Sequence, residues 1–198
     1  MRKVFIGTLV VLTIAILNGC GSRRIARVDP SETIDLSGRW NDSDSRMVSD
    51  EMIGDLLTSA WIPKYLKAND KRPVVVVGLV ENKSHEHINS ETFIKDVEKA
   101  IIRDGNIRLV VAGEKRNELR KERAEQQDYA SPETTKKWGK ELGADFILQG
   151  TINSIVDSYK KQKVVTYQID LQLTNIETNE VVWMGDKKIK KQITDKVF

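Results

Sequence analysis

The sequence is poor in the residues from which disulfides and metal centres are built. Cys20 is the single cysteine, and His85 and His87 are the two histidines. One cysteine cannot form an intramolecular disulfide, and zinc takes three or four converging His, Cys or carboxylate ligands. Glu81 and Glu86 flank the H-x-H pair, which leaves a small metal site as an alternative. We predict instead a solvated loop here, with no metal and no cofactor.

A clustered excess of positive charge is also missing. The formal net charge is +3, from 32 Lys and Arg against 29 Asp and Glu. Arg2 and Lys3 lie in a candidate signal peptide, and without these two the remaining 30 basic residues nearly match the 29 acidic ones. This balance gives no support for nucleic-acid binding, which usually shows as a basic patch.

The common catalytic patterns do not occur either. Ser84 stands beside His85, but neighbouring residues of an extended loop point apart, and the sequence has no G-x-S-x-G turn. A G-x-x-x-x-G-K-[ST] phosphate loop is also lacking. Asp42 and Asp44 resemble the start of a calcium loop, but Met47 stands where such loops need Gly. The sequence therefore predicts no catalytic residues and no small-molecule substrate.

The one long apolar run lies at the N-terminus. Arg2 and Lys3 precede 14 residues, Val4 to Leu17, without a charged side chain. A helix that crosses a bilayer core of about 30 Å needs roughly 20 residues, so this run is too short to span a membrane. A short apolar run after basic residues is typical of a secretory signal peptide.

Residues 17–20, Leu-Asn-Gly-Cys, resemble the bacterial lipobox. We predict cleavage after Gly19 and attachment of a diacylglycerol thioether and an N-acyl chain to Cys20. Two or more acyl chains give a stable membrane anchor, whereas one gives only marginal binding. Neither Gly21 nor Ser22 is the Asp that retains lipoproteins in the inner membrane of enterobacteria. The expected location is therefore the outer membrane, facing the periplasm.

The chain divides by composition into three parts. Residues 1–19 are the predicted signal peptide, residues 20–35 form a flexible tether without apolar periodicity, and residues 36–198 form one domain. Removing 19 residues from 198 leaves 179, which is enough for a single domain with its own core.

Apolar residues at helical spacing predict two amphipathic helices, over residues 45–59 and 90–104. Pro63 is expected to interrupt the chain after the first of them, and residues 67–72 to form a polar loop.

Two further helices are predicted between the strands. Residues 114–127 are highly charged, which favours an exposed helix with a solvated face over a dedicated docking face. A helix over residues 131–142 is expected because Ser131 suits an N-cap and Pro132 the first helical position, with Gly143 as its C-terminal cap.

Five segments are predicted to be strands. Residues 74–80 form a continuous β-branched run, which is typical of a strand covered on both faces, and residues 107–112 follow as a second strand of a β-α-β unit. Residues 144–156, 164–173 and 181–193 are expected to be three long antiparallel strands. Polar and apolar residues alternate in the middle one, which predicts a sheet with one solvated face.

The four tryptophans, Trp40, Trp61, Trp138 and Trp183, are predicted to lie in the core or at its edge rather than to form a binding platform. Val181 and Trp183 are expected to share the buried face of the last strand.

Three stretches together resemble the LpoB family of outer-membrane lipoproteins. They are residues 35–46, DLSGRWNDSDSR, residues 143–152, GADFILQGTI, and residues 175–183, NIETNEVVW. The likeness extends from Asp35 to Ile193. The last two stretches are shared more loosely with the N-terminal domain of TolB and with lipoproteins of the CsgG type.

The resemblance implies an α/β single domain with a mixed β-sheet and flanking helices. It also implies a non-enzymatic activator that binds a non-catalytic docking domain of a class A penicillin-binding protein and so stimulates peptidoglycan synthesis. No short motif defines the partner surface, so its residues stay unknown. Residues 42–46 are interpreted as capping and bracing a helix rather than as touching a partner. The alternative is an envelope scaffold or secretion-accessory lipoprotein of the CsgG or TolB kind.

The family's better-known members carry a long, Pro-rich linker that lets the domain cross the periplasm. Here only about 25 residues separate Cys20 from the first predicted helix. Such a segment spans at most roughly 90 Å when extended and averages about 30 Å as a coil. The sequence therefore predicts a domain held close to its membrane.

The lipobox predicts that Cys20 is the sole site of lipid attachment. Cells grown with a radioactive fatty acid should label the wild-type protein, and Cys20→Ala should remove that label completely because no second thiol is available. Label retained by the variant would contradict the assignment.

Overall fold

The computed structural model describes residues 25–131, 133 and 141–194. In this part of the chain the elements follow in the order α1 (Asp42–Thr58), α2 (Trp61–Asn69), β1 (Val74–Asn82), α3 (Ser90–Asp104), β2 (Arg108–Val110), α4 (Gly113–Tyr129), β3 (Phe146–Tyr159), β4 (Gln162–Asn175) and β5 (Val181–Thr194). None of the helices described is long and apolar enough to cross a membrane.

The five strands form one mixed sheet in the order β2-β1-β3-β4-β5. β1 runs parallel to β2 and to β3, and β3, β4 and β5 pair as antiparallel neighbours. The predicted α/β fold with a mixed sheet is therefore confirmed, as is the β-α-β unit of β1, α3 and β2.

The core lies between one face of the sheet and the helices. Helix α3 contributes Phe93, Val97 and Ile101, which recur every fourth residue and are buried. Tyr167 and Leu173 of β4 are fully buried on the facing side of the sheet. The alternation predicted for this strand is therefore real, because its intervening residues are only partly covered.

Two helix boundaries differ from prediction for local reasons. Helix α1 begins three residues earlier than expected, because Asn41 caps it: the Asn41 side chain accepts from the Asp44 N–H, and Asp44 accepts from the Asn41 N–H. Pro63 does not interrupt the chain but lies in the first turn of α2. The missing N–H of proline costs nothing there, since that turn has no intrahelical acceptor. Residues 67–69, predicted as loop, form the last turn of α2.

The strands also differ from prediction in length. β2 comprises three residues rather than six, because only residues 108–110 pair with β1. β3, β4 and β5 each extend to 14 residues. The helix predicted over residues 131–142 lies mostly outside the described residues, and Glu141 and Leu142, which are described, are not helical.

The tryptophans lie as predicted where the structure describes them. Trp61 and Trp183 are buried and Trp40 is half-buried, whereas Trp138 lies outside the described residues. The Trp183 indole donates from Nε1 to Asp55 Oδ2 at 2.8 Å. A Cβ on Gly185 would lie only 2.5 Å from the Trp183 ring, so the indole can occupy this place only beside a glycine.

Val181 does not share the buried face with Trp183. A register irregularity between β4 and β5 sets Trp183 opposite Leu173 but Val181 opposite Thr174, on the other face of the sheet. Val181 is accordingly 44% exposed. A single extra residue at such an irregularity turns the side chains before it to the opposite face of the sheet.

Replacement of Trp183 by Ala should lower the free energy of unfolding by about 3–5 kcal/mol, because it removes a buried indole and leaves Asp55 without its donor. Tyr129→Ala is the control, since this aromatic residue is 88% exposed and should change stability by no more than about 0.5 kcal/mol. Chemical denaturation measures both, and equal midpoints for the two variants would contradict the assigned burial.

Candidate interaction surface

The segment before α1 is fastened to β5 by one lysine. Lys191 Nζ lies 2.8 Å from Asp35 Oδ2, 2.7 Å from Asp44 Oδ2 and 2.9 Å from the carbonyl oxygen of Arg39. Partial burial opposes the charged form, but the hydrogen bonds to Asp35 and Asp44 prevail and raise the pKa of Lys191. The Lys191 hydrogen bond likewise lowers the pKa of the Asp35 carboxyl.

Trp40 connects the same segment to the loop after β1. Its backbone N–H donates to Glu86 Oε2 at 3.0 Å, and its indole Nε1 donates to Ser45 Oγ at 2.8 Å. The ring meets Tyr167 edge-on, with 5.4 Å between the centroids. Tyr167 donates its hydroxyl to Glu86 Oε1 at 2.8 Å, and burial, followed by Glu86, raises the pKa of this phenol. Glu86 is therefore engaged as an internal acceptor.

A glycine permits the close contact between this segment and β5. Gly38 has φ +68°, and a Cβ at this position would lie 2.4 Å from Ile193 Cγ1. Asp35 accepts from the Gly38 N–H at 3.0 Å. Within α1, Arg46 pairs with Asp42 at 3.0 Å and donates to Ser43. The acids and the base of residues 42–46 thus cap and brace a helix, as interpreted from the sequence.

The other two stretches that carry the family resemblance have structural roles as well. Asp145 Oδ2 accepts from the Val74 N–H at 2.8 Å, and the Asp145 N–H donates to the Val74 carbonyl at 2.7 Å, so this residue fixes the start of β1. The Asn175 side chain accepts from the N–H groups of Glu177 and Thr178 and so shapes the β4–β5 turn. Residues 35–46, Asp145 and Asn175 are therefore engaged in contacts within the domain, whereas Gln149, Gly150 and Thr151 of the second stretch lie on the sheet face opposite the core.

The H-x-H loop is exposed and held to β3. His85 and His87 are both exposed, and His85 Nδ1 lies 2.9 Å from Ser154 Oγ. Asn82 Nδ2 donates to the Glu86 carbonyl at 2.7 Å. Across residues 25–131, 133 and 141–194 there is no group of three or more His, Cys, Asp or Glu side chains placed to hold a metal ion.

Helix α4 is exposed along its whole length, as its charge pattern predicts, and none of its described residues is buried. Arg120 binds both carboxylate oxygens of Glu141 at 2.9 Å, and Arg123 adds a third contact at 3.1 Å. The Arg120 hydrogen bond lowers the pKa of Glu141 to about 2. These ion pairs occupy the charges of this part of α4 and leave it as a solvated surface.

The sheet face opposite the core is exposed or only partly covered along β3, β4 and β5 among the described residues, whereas Val76 of β1, on the same face, is buried. Polar side chains follow one another across β3, β4 and β5, where Gln149 pairs with Gln172, Thr151 with Asp170 and Asn153 with Gln168. Large apolar side chains interrupt this polar face, among them Leu79, which is 65% exposed, and Met184, which is 66% exposed.

Leu79 and Met184 border a shallow depression of about 340 Å³, which we call the open-face groove. Its lining residues come from four strands and are Leu79, Glu81, Gln149, Gly150, Thr151, Asp170, Leu171, Gln172 and Met184. A Cβ on Gly150 would lie 2.2 Å from the Asp170 carbonyl oxygen, so only glycine fits at this position in the floor of the groove.

The groove offers apolar contact, amide hydrogen bonds and two carboxylates on rigid strands, which suits contact with another protein. Sequence reasoning missed it. The alternation in β4 indicated a solvated face, but nothing in the pattern marked Leu79 or Met184 as exposed.

Comparison with known proteins gives one family. The family model of the peptidoglycan-synthase activator LpoB matches residues 44–189. No curated protein matches the chain in sequence.

Solved structures with a similar fold include the LpoB C-terminal domain from Escherichia coli, at 19% identity and a TM-score of 0.38, with 69% of this chain and 100% of that chain covered. The LpoB C-terminal domain from Salmonella enterica has 17% identity and a TM-score of 0.36, with 66% and 98% covered. Lipoprotein GNA1162 from Neisseria meningitidis has 15% identity and a TM-score of 0.37, with 61% and 83% covered.

Lys191→Met should destabilise the domain by about 2–4 kcal/mol, because it leaves the buried Asp44 carboxylate without its cation. Lys190→Met, a change at the exposed neighbouring position, should cost no more than about 0.5 kcal/mol. Urea denaturation measures the free energy of unfolding of both variants.

Addition of Asp44→Asn to Lys191→Met should recover part of the loss, since no unpaired charge then remains buried. A Lys191 variant as stable as the Lys190 variant would show that this lysine does not hold the segment in solution.

Proposed function

The chain belongs to the LpoB family of peptidoglycan-synthase activators, and we propose that it is a lipid-anchored periplasmic lipoprotein that activates a class A penicillin-binding protein by direct contact. The observation that carries this proposal is the family match over residues 44–189, which covers most of the domain. The family is non-enzymatic, its partner is a peptidoglycan synthase, and its place is the cell envelope. The resemblance read from the sequence is thus confirmed, as is the prediction that the protein is not an enzyme.

The proposed partner contact is with a non-catalytic docking domain of the synthase. An activator of this kind acts through binding energy: it stabilises the active conformation of the enzyme by as much as it binds that conformation better. Such an activator needs a stable, well-shaped surface and no reacting groups of its own.

We assign this contact to the open-face groove. Residues 35–46 are engaged in hydrogen bonds and ion pairs within the domain, and in α4 Arg120 and Arg123 pair with Glu141 and Lys121 pairs with Glu125. Leu79 and Met184 are, by contrast, exposed apolar side chains on rigid strands, bordered by Glu81 and Asp170. Apolar centres with a polar rim are typical of protein interfaces.

The proposed anchor at Cys20 places a limit on reach. Because Lys191 holds Asp35, at most about 15 residues separate Cys20 from the first residue held by β5, rather than the 25 that precede the first predicted helix. Such a segment spans at most roughly 50 Å when extended and averages about 20 Å as a coil. The synthase would therefore have to extend towards the outer membrane, or the envelope would have to be thin.

Purified protein that starts at residue 20 with Cys20→Ser should accelerate polymerisation of lipid II by the cognate class A synthase and should leave lipid II unchanged on its own. Leu79→Glu combined with Met184→Glu should weaken the apparent affinity by about 30-fold or more, since an unpaired charge in the centre of an interface costs at least about 2 kcal/mol.

Ile102→Glu is the matched control, because Ile102 is 64% exposed on α3, away from the groove. It should change the affinity by no more than about twofold. An equal loss of affinity in both variants would show that the synthase contact does not lie in the groove. No acceleration by the unsubstituted protein would favour the alternative, an envelope scaffold or secretion-accessory lipoprotein of the CsgG or TolB kind.

A further inference from the structure

The β3–β4 turn carries a cluster of lysines. Lys160, Lys161 and Lys163 are exposed, and Asp157 is the one acid in residues 155–163. None of these lysines forms an ion pair with another residue of the described chain. This differs from α4, where Arg120 and Arg123 pair with Glu141 and Lys121 pairs with Glu125.

Exposed apolar groups lie beside these lysines. Ile155 is 71% exposed and Tyr159 is 72% exposed. The strand register places Ile155 opposite Thr166, and Thr166 opposite Lys190, so Ile155 and Lys190 share the open face of the sheet. We call residues 155–163 together with Lys190 the hairpin end. It combines basic, aromatic and aliphatic side chains in one small region.

The segment before α1 is fastened to the sheet at this same end. Lys191 holds Asp35, and Gly38 lies against Ile193. Ile193 pairs with Lys163, next to the β3–β4 turn. An anchor that precedes Asp35 therefore pulls on the hairpin end of the domain.

The opposite end of the sheet packs against helix α2. The rings of Trp61 and Tyr65 in α2 contact Phe146 at the start of β3, and Phe146 pairs with Asn175 at the end of β4. Lys64 and Lys67 lie exposed on this helix.

We propose that the hairpin end rests on an anionic phospholipid surface, namely the leaflet in which the chain is anchored. The proposal takes its biological meaning from the proposed lipid at Cys20, since a tether of about 15 residues keeps this end near the bilayer. Lysines attract acidic headgroups while their stems cover apolar surface. Tyrosine is enriched at the membrane–water interface, where its ring is partly buried and its hydroxyl stays hydrated.

The test uses the chain from residue 20 with Cys20→Ser, so that binding does not depend on acylation. Sedimentation with phosphatidylcholine vesicles that contain one third phosphatidylglycerol should bring down the protein, whereas pure phosphatidylcholine vesicles should not. Binding should fall as salt is added, because exposed charges are screened. Lys161→Glu with Lys163→Glu should weaken it at least roughly tenfold.

Lys64→Glu with Lys67→Glu is the matched control, since it changes the net charge equally at the opposite end and should leave most of the binding intact. Equal loss in the two double variants, or equal binding to neutral vesicles, would overturn the proposal. So would a hairpin variant that binds vesicles normally but no longer activates the synthase, because the hairpin end would then be a protein contact. Activation and vesicle binding are measured in separate assays. The vesicle-binding result can therefore be interpreted even if the protein does not activate a synthase.

Discussion

The architecture of the domain depends on the charge of Lys191. Its ammonium group joins two carboxylates and a backbone carbonyl that belong to the segment before α1 and to the first turn of α1. With this segment in place, Trp40 reaches Glu86 and Tyr167, and the loop after β1 is fixed to the sheet. Asp44 is buried, so its charge is tolerated only while Lys191 remains beside it. One edge strand thus fastens both the segment before α1 and the first turn of α1.

The sequence allowed the periodic parts of this structure to be predicted, because burial on one face leaves a repeating trace. The α3 stripe of Phe93, Val97 and Ile101 and the alternation in β4 both follow from that rule. Prediction from the periodic pattern failed where a single residue changed the course of the backbone. Pro63 suits the first turn of a helix as well as an interruption, and the irregularity opposite Leu173 turned Val181 away from the core.

The candidate surface could not be predicted in the same way. Lys191 and Asp44 are far apart in the chain, and no local pattern distinguishes Lys191 from Lys190, its exposed neighbour. Leu79 and Met184 are likewise ordinary strand residues in sequence, and their exposure depends on which face of the sheet the helices cover. Residues 35–46 brace the first helix, so this stretch indicated the fold rather than the contact.

The two proposed surfaces occupy different parts of one open face, and their separation has a mechanical consequence. Gln149, in the groove, and Ile155, at the hairpin end, are six residues apart on β3, which corresponds to about 20 Å along the strand. A hairpin end resting on lipid would therefore hold the groove away from the bilayer, towards the interior of the envelope. Contact with lipid would also restrict rotation about the tether, which would lower the entropy lost when a partner binds. A short tether of this kind would do more than limit reach: together with a membrane-facing end, it would present the groove in one orientation to a synthase that approaches from the opposite membrane.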